Sequence, residues 1–184
     1  MKATLLIVLA MAMPLTLWAQ ENGSEKSKPT FGYEIDALPF ILGGYYGSMW
    51  VGKDRTRFRA VLTEFRTPDF FLESGFTNNK IRSYAAIGDY FFEPGFEQWW
   101  IGAGMEYWKG RIQTDAGLST EKYDQLILTF GGGYAWKFHR RFYLNPWAAI
   151  HARIAGDANV TVDEEEFNPA IITPEVSIKI GWHF

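Results

Sequence analysis

The chain has 184 residues, 47% of them hydrophobic and 17% aromatic, with a formal charge of −3 and no cysteine. The missing thiol excludes disulfides, thiolate metal centres and a lipid anchor on cysteine, and the mildly acidic balance leaves no electrostatic footprint for nucleic acid. Beyond the first residues, no apolar run approaches the ~20 residues that a spanning helix needs.

In chain order, Met1-Lys2 gives a short positive start and Ala3 to Leu17 an apolar run. Leu17-Trp18-Ala19 ends in a small residue, so positions 1–19 read as a secretory signal peptide cut after Ala19. Gln20 to Pro29 is polar and reads as a flexible periplasmic lead. From Thr30 the sequence alternates into eight segments, each of the length a tilted membrane strand needs. The first spans about Phe31 to Leu42 and turns at Gly43-Gly44. The second runs from about Tyr45 to Gly52, with a tight turn at Lys53-Asp54, and the third from about Arg55 to Phe65. A polar loop over 66–79 leads to the fourth, about Lys80 to Phe92. Glu93-Pro94-Gly95 is a strong turn signal before the fifth, about Trp99 to Arg111. A polar loop over 113–122 precedes the sixth, about Tyr123 to Lys137. His139-Arg140 turns the chain into the seventh, about Phe142 to Ala155. The last long loop, 156–170, leads to the eighth strand, which ends the chain.

Connections after the third, fifth and seventh strands are long, and those after the second, fourth and sixth are short. An even strand count puts both ends of the barrel domain on one side. Long outer loops and short periplasmic turns are the rule for membrane barrels. Aromatic residues gather near strand ends. Phe91, Phe92, Trp99, Trp136, Phe142, Tyr143, Trp182 and Phe184 are expected at the periplasmic interface. Tyr45, Tyr46, Phe65, Tyr107, Trp108 and Tyr123 are expected at the outer one.

The final strand carries the most specific pattern. Val176, Ile178, Ile180, Trp182 and Phe184 fall on one face; Glu175, Ser177, Lys179, Gly181 and His183 fall on the other. Lys179, Gly181, Trp182 and the terminal Phe184 resemble the C-terminal signature of bacterial outer-membrane β-barrels. The chain thus resembles the small eight-stranded barrels of the OmpA-, OmpX- and OmpW-like class. The resemblance implies an all-β, eight-stranded antiparallel up-and-down transmembrane β-barrel over residues 30–184. It also implies outer-membrane location, insertion by the barrel-assembly machinery, and contact with outer-membrane lipid and lipopolysaccharide. A monomer with no cofactor and a structural, adhesive or ligand-binding role through the long loops is expected. Narrow transport of small or apolar solutes is the alternative within the class.

Face assignment predicts the lumen. Glu34 and Asp36 point inward on the first strand, Arg57 and Arg59 on the third, and Glu106 on the fifth. Asn145, Trp147, His151 and Arg153 point inward on the seventh, and Glu175, Ser177 and Lys179 on the eighth. The fourth strand (Arg82, Tyr84, Asp89) does not alternate cleanly, and its faces stay open. Acids and bases balance among Glu34, Asp36, Glu106, Glu175, Arg57, Arg59, Arg153 and Lys179. An eight-stranded barrel is just wide enough for side chains to fill it, and unpaired buried charge is costly. An interior closed by ion pairs is the expectation.

One constellation suggests catalysis: His151, Glu175 and Ser177, a hydroxyl, base and carboxylate suited to acyl transfer. Some small outer-membrane barrels modify the acyl chains of lipid A. Their deacylase pattern places a serine two residues after the histidine, where this chain has Arg153. An inward histidine bonded within a polar core accounts for the same residues. Asp163-Glu-Glu-Glu166 lacks the spacing of a calcium loop and reads as a solvated acidic loop, so no metal site is expected.

Overall fold

The computed structural model describes residues 28–117 and 119–184. The predicted signal peptide and nearly all of the predicted lead lie outside those residues. The barrel strands are β1 (Thr30–Asp36), β2 (Tyr45–Lys53), β3 (Thr56–Arg66), β4 (Phe76–Phe91), β5 (Gln98–Thr114), β6 (Thr120–Lys137), β7 (Phe142–Gly156) and β10 (Ile172–His183). A small hairpin, β8 (Val160–Val162) with β9 (Glu165–Phe167), stands in the last loop. All eight barrel strands pair antiparallel in the closed ring β1-β10-β7-β6-β5-β4-β3-β2. This is the up-and-down barrel expected from the sequence.

β1 starts and β10 finishes at the same end, which also carries the β2–β3, β4–β5 and β6–β7 connections. The opposite end carries the long connections over 67–75 and 157–171, while the β5–β6 connection there, expected to be long, shrinks to 115–119 because both strands extend. These are called the turn end and the loop end below.

The first strand is shorter than its alternation suggests. It stops at Asp36, and Ala37–Ile41 form a short helix, α1. Asp36 caps this helix, its Oδ1 accepting the Leu38 N–H at 2.9 Å. A capping carboxylate three residues before Pro39, which has no N–H to give a ladder, favours a helical turn over continued strand.

Strands β4, β5 and β6 are longer than expected. Gly75 and Asn78-Asn79 read as loop residues, yet Asn78 (φ 54°) sits at a ladder irregularity between Thr77 and Lys80. Asn79 is buried against Thr67 and Tyr123. A polar residue with internal partners therefore extends the strand.

The outer face is apolar over a clear band. On β5 it runs from Trp99 through Ile101, Ala103 and Met105 to Tyr107, with exposure highest at Trp99 and Ile101. Eight strand steps cover about 27 Å, or about 20 Å of height at a tilt near 40°. Val176, Ile178 and Ile180 continue the band on β10, and Met49 continues it on β2. Phe92, Trp99, Trp136 and Phe184 face outward at the turn end.

Not every predicted girdle aromatic joins that rim. Phe91, Tyr143, Tyr46, Trp108 and Tyr123 point inward and are buried, and Phe65 packs inward edge-on against Trp108. The lumen is thus aromatic as well as charged. Gly181 faces in beneath Tyr143, whose ring occupies the space a Cβ would take. That close packing gives one residue of the terminal signature a structural role in this chain.

Candidate functional site

The barrel interior is the concentrated assembly of titratable groups, and it is layered. Arg57 and Arg59 lie two residues apart on β3, so both side chains enter the lumen. Asp89 on β4 bridges them. Arg57 Nε donates to Asp89 Oδ2 at 2.7 Å, Arg59 Nε to the same oxygen at 2.8 Å, and Arg59 Nη2 to Oδ1 at 2.9 Å. Glu34 supplies the second anion, 2.9 Å from Arg57 Nη1 and 3.7 Å from Arg59 Nη1. Tyr143 and Asn145 donate to the same Glu34 oxygen at 2.9 and 3.0 Å. Two cations and two anions therefore balance in a fully buried cluster.

Aromatic rings wall in this cluster. The Arg57 guanidinium lies 5.0 Å from the Phe91 ring centre and 5.4 Å from Trp100. Arg59 lies 5.1 Å from Trp100 and 5.6 Å from Trp147. Two of the indole N–H groups are absorbed: Trp50 donates to Tyr143 at 3.0 Å and Trp100 to Asn145 at 2.8 Å. Planar guanidinium groups stack on such faces while keeping their in-plane bonds to carboxylates. Room for Asp89 comes from Gly102 on the next strand, where a Cβ would overlap the carboxylate.

At mid-height, Lys179 is buried with its ammonium 3.2 Å from the Trp147 ring centre and 5.3 Å from Tyr46. Asp36 lies opposite it in the β1–β10 ladder, but the Asp36 carboxylate accepts the Ser177 hydroxyl and caps α1. Among the described residues Lys179 makes no carboxylate ion pair.

Above that level, His151 stands between two carboxylates, 3.2 Å from Glu106 by Nδ1 and 2.9 Å from Glu175 by Nε2. Thr129 Oγ1 lies 2.9 Å from Nδ1. Glu106 also accepts bonds from Ser83, Trp108 and Thr129, each at 2.7 Å. Arg153 lies nearer the rim, donating to the carbonyls of Asp157 and Ala158.

The predicted hydroxyl, base and carboxylate are only partly assembled. Glu175 meets His151, but the Ser177 hydroxyl is turned to Asp36. Both imidazole nitrogens face carboxylates, so neither is placed to take a proton from Ser177.

A hydrophobic lid closes the loop end. Val160, Val162 and Phe167 of the β8–β9 hairpin pack on Phe76, Ile112 and Tyr123. Asp163, at the hairpin tip, is the latch. It accepts the Thr114 hydroxyl at 2.7 Å, the Ser119 backbone N–H at 3.1 Å and the Ser119 hydroxyl. Hydrogen bonds from Ser119 and then Thr114 hold its carboxyl below the usual range. One acid of the predicted solvated stretch thus has a defined structural job. Among the described residues no group of side chains is arranged to hold a metal ion.

Asp89 is the key lumen residue that sequence reasoning did not place. Inward Ile81, Ile87 and Phe91 beside inward Ser83 and Asp89 hide the period of β4. The signal lay in the other register, where Tyr84, Ala86, Gly88 and Tyr90 form the lipid-type face.

A closed antiparallel eight-stranded barrel with an apolar girdle and a filled interior has the fold of the small outer-membrane barrels. Consistent with this, Neisserial surface protein A, known from its crystal structure, is similar in fold. The TM-score is 0.53 at 14% sequence identity, covering 85% of this chain and 96% of that one. No protein-family model and no curated protein matches the sequence.

Proposed function

We propose that the protein is an integral outer-membrane barrel with a sealed lumen, working as a structural or ligand-binding element through its loop end. The carrying observation is occlusion at successive levels. The Arg57–Arg59–Asp89–Glu34 cluster and its rings fill the turn-end half, Glu106 and His151 fill the next level, and the β8–β9 lid covers the top. In this reading the signal peptide at 1–19 directs export and is removed. The turn end faces the periplasm and the loop end faces outward. Lys179, Gly181, Trp182 and Phe184 form the strand that the assembly machinery reads, and the barrel inserts as a monomer. The test is planar-bilayer recording on the purified, folded barrel. Silence at moderate voltage is expected, and steady unitary conductance would refute a sealed lumen. Folding is checked first by the shift in gel mobility on boiling, and location by outer-membrane fractionation.

A second reading, a lateral path for apolar solutes, is favoured by one feature of the wall. The β1–β10 ladder ends at Asp36 opposite Lys179, so the Ile172–Ile178 stretch of β10 has no strand on that side. α1 packs into the gap against β10, β2 and β3, yet no backbone hydrogen bond joins α1 to β10 among the described residues. Open sheet edges are not left against lipid, so this seam is the place where the wall would part. Hydrogen–deuterium exchange in nanodiscs tests it. Faster exchange in α1 and in 172–178 than in β5 and β6 is expected, and equal protection would remove the case for a path.

A further inference from the structure

The β4 faces, left open by the sequence, reveal a feature on the outer wall. Immediately beyond the apolar band, at the loop end, basic residues take most outward positions of three adjacent strands, with Asp124 interrupting them on β6. The basic residues are Lys80 and Arg82 on β4, Lys109 and Arg111 on β5, and Lys122 on β6. The register sets Arg82 opposite Lys109, Lys80 opposite Arg111, and Arg111 opposite Lys122. Like charges directly opposite on neighbouring strands are destabilising, yet three such pairs adjoin here.

Neutralisation is one-sided. Glu64 on β3 takes Lys80 and Arg82, each at 2.6 Å. Asp124, opposite Lys109, is occupied by the Tyr107 hydroxyl at 2.7 Å, and the Asp157 carboxylate accepts the Asp124 backbone N–H at 2.8 Å. Lys109 instead lies 5.6 Å from the Tyr107 ring centre. Among the described residues, Lys109, Arg111 and Lys122 form no ion pair with a carboxylate. A hollow of about 420 Å³ is lined by the bases Arg82, Lys109, Arg111 and Lys122 and by the acids Glu64, Asp124 and Asp157.

Height decides the occupant. Tyr84 and Tyr107 close the apolar band on these strands, and Lys109 sits one outward position higher, about 5 Å along the barrel axis. That is headgroup level, with Met105 and Ala103 below to meet acyl chains. We propose that this ledge binds the phosphate of a phosphorylated glycolipid of the lipid A type, its sugar in the hollow and its chains along the band. A bridging phosphate removes the like-charge repulsion that the bare wall carries. The inference rests on the outer-membrane reading above, because the orientation puts the ledge in the outer leaflet.

The test uses the full barrel refolded in detergent, with binding followed by native mass spectrometry and by fluorescence titration. The probes are bisphosphorylated lipid A, the same lipid without phosphates, phosphatidylglycerol and inorganic phosphate. The variants are the triple K109A/R111A/K122A and, as a charge-loss control at the turn end, R140A. The expected result is preference for bisphosphorylated lipid A. That binding weakens on the order of 100-fold in the triple variant, each basic residue contributing about fivefold, and is unchanged in R140A. Equal binding of dephosphorylated lipid A, or no loss in the triple variant, would overturn the proposal. Phosphatidylglycerol or inorganic phosphate binding as tightly would refute the glycolipid assignment. An unboiled variant that still shows the folded mobility removes misfolding as an explanation. If the outer-membrane reading is wrong, fractionation reports it separately, whatever the lipids do.

Discussion

Asp89 is the group whose removal tests the account of the lumen most directly. Asp89→Asn keeps the side-chain volume and removes one negative charge. The carboxylate now accepts three hydrogen bonds from two arginines. Its amide replacement leaves Arg57 and Arg59 facing Glu34 alone, a net buried positive charge ringed by Trp50, Phe91, Trp100 and Trp147. Breaking a buried pair by removing one partner costs about 3–5 kcal/mol, mostly the penalty of the stranded charge. The complementary variant removes a cation together with the anion. Asp89→Leu with Arg59→Met leaves Arg57 paired to Glu34, and buried ion pairs replaced by apolar groups are often neutral. The assay is urea unfolding in detergent, followed by tryptophan fluorescence and by the fraction keeping folded gel mobility. The single variant is expected to lose several kcal/mol and the double variant to recover most of it. A single variant within about 1 kcal/mol of wild type, or a double variant no better than the single, would show that charge balance does not hold this lumen together.

Three further outcomes follow from the geometry. Gly181→Val sets a branched side chain against the Tyr143 ring and is expected to lower the folded fraction as much as deleting Phe184 does; normal insertion of both would contradict the role given to the last strand. Asp163→Asn should release the β8–β9 lid, read as new protease cleavage within 157–171 at neutral pH. Because the Asp163 carboxyl is held below its usual value near 3.8, its contribution is present above that pH and fades as acid protonates the folded form; wild type should therefore become cleavable only in acid, and a pH-independent pattern would remove the latch. His151→Ala should leave the acyl pattern of cellular lipid A identical to wild type by mass spectrometry, since Ser177 is engaged by Asp36; a changed acyl number would establish an enzyme.

What the sequence made legible depended on where alternation was clean. β7 and β10 carry an unbroken apolar outward face and β3 alternates over Arg57 to Ala60, so Arg57, Arg59, His151 and Lys179 could be assigned to a face from period alone. β4 mixes apolar and polar residues on its inward face, and that concealed both Asp89 inside and Arg82 outside. Aromatic residues misled for a related reason. A ring at a strand end suits the interface, but in a narrow barrel it also suits the lumen, where Arg57 and Arg59 need flat faces to stack on. The seam escaped because Asp36 reads as one more inward acid, while its carboxylate ends the strand by capping α1. Side-chain partners across the lumen, unlike strand period, have no footprint in a single sequence.

The wall is uneven, and its two outer features follow from that. β4, β5 and β6 rise well past the apolar band and pair along nearly their full length, Gln98–Gln113 against Thr120–Ala135 in the case of β5 and β6. β1 is the shortest barrel strand, and the closing ladder joins only Gly32–Asp36 to Lys179–His183. In the ring order β5 stands directly across from β1. The tall side therefore carries the basic ledge beyond the apolar band and gives the β8–β9 lid its seat on Phe76 and Ile112. The short side leaves β10 half paired. Fewer backbone hydrogen bonds mean a lower free energy for local opening, so fluctuations of the wall should concentrate at the seam while the ledge stays rigid. A glycolipid held on the tall side would fix that side in the outer leaflet and leave the opposite seam as the part of the barrel free to move.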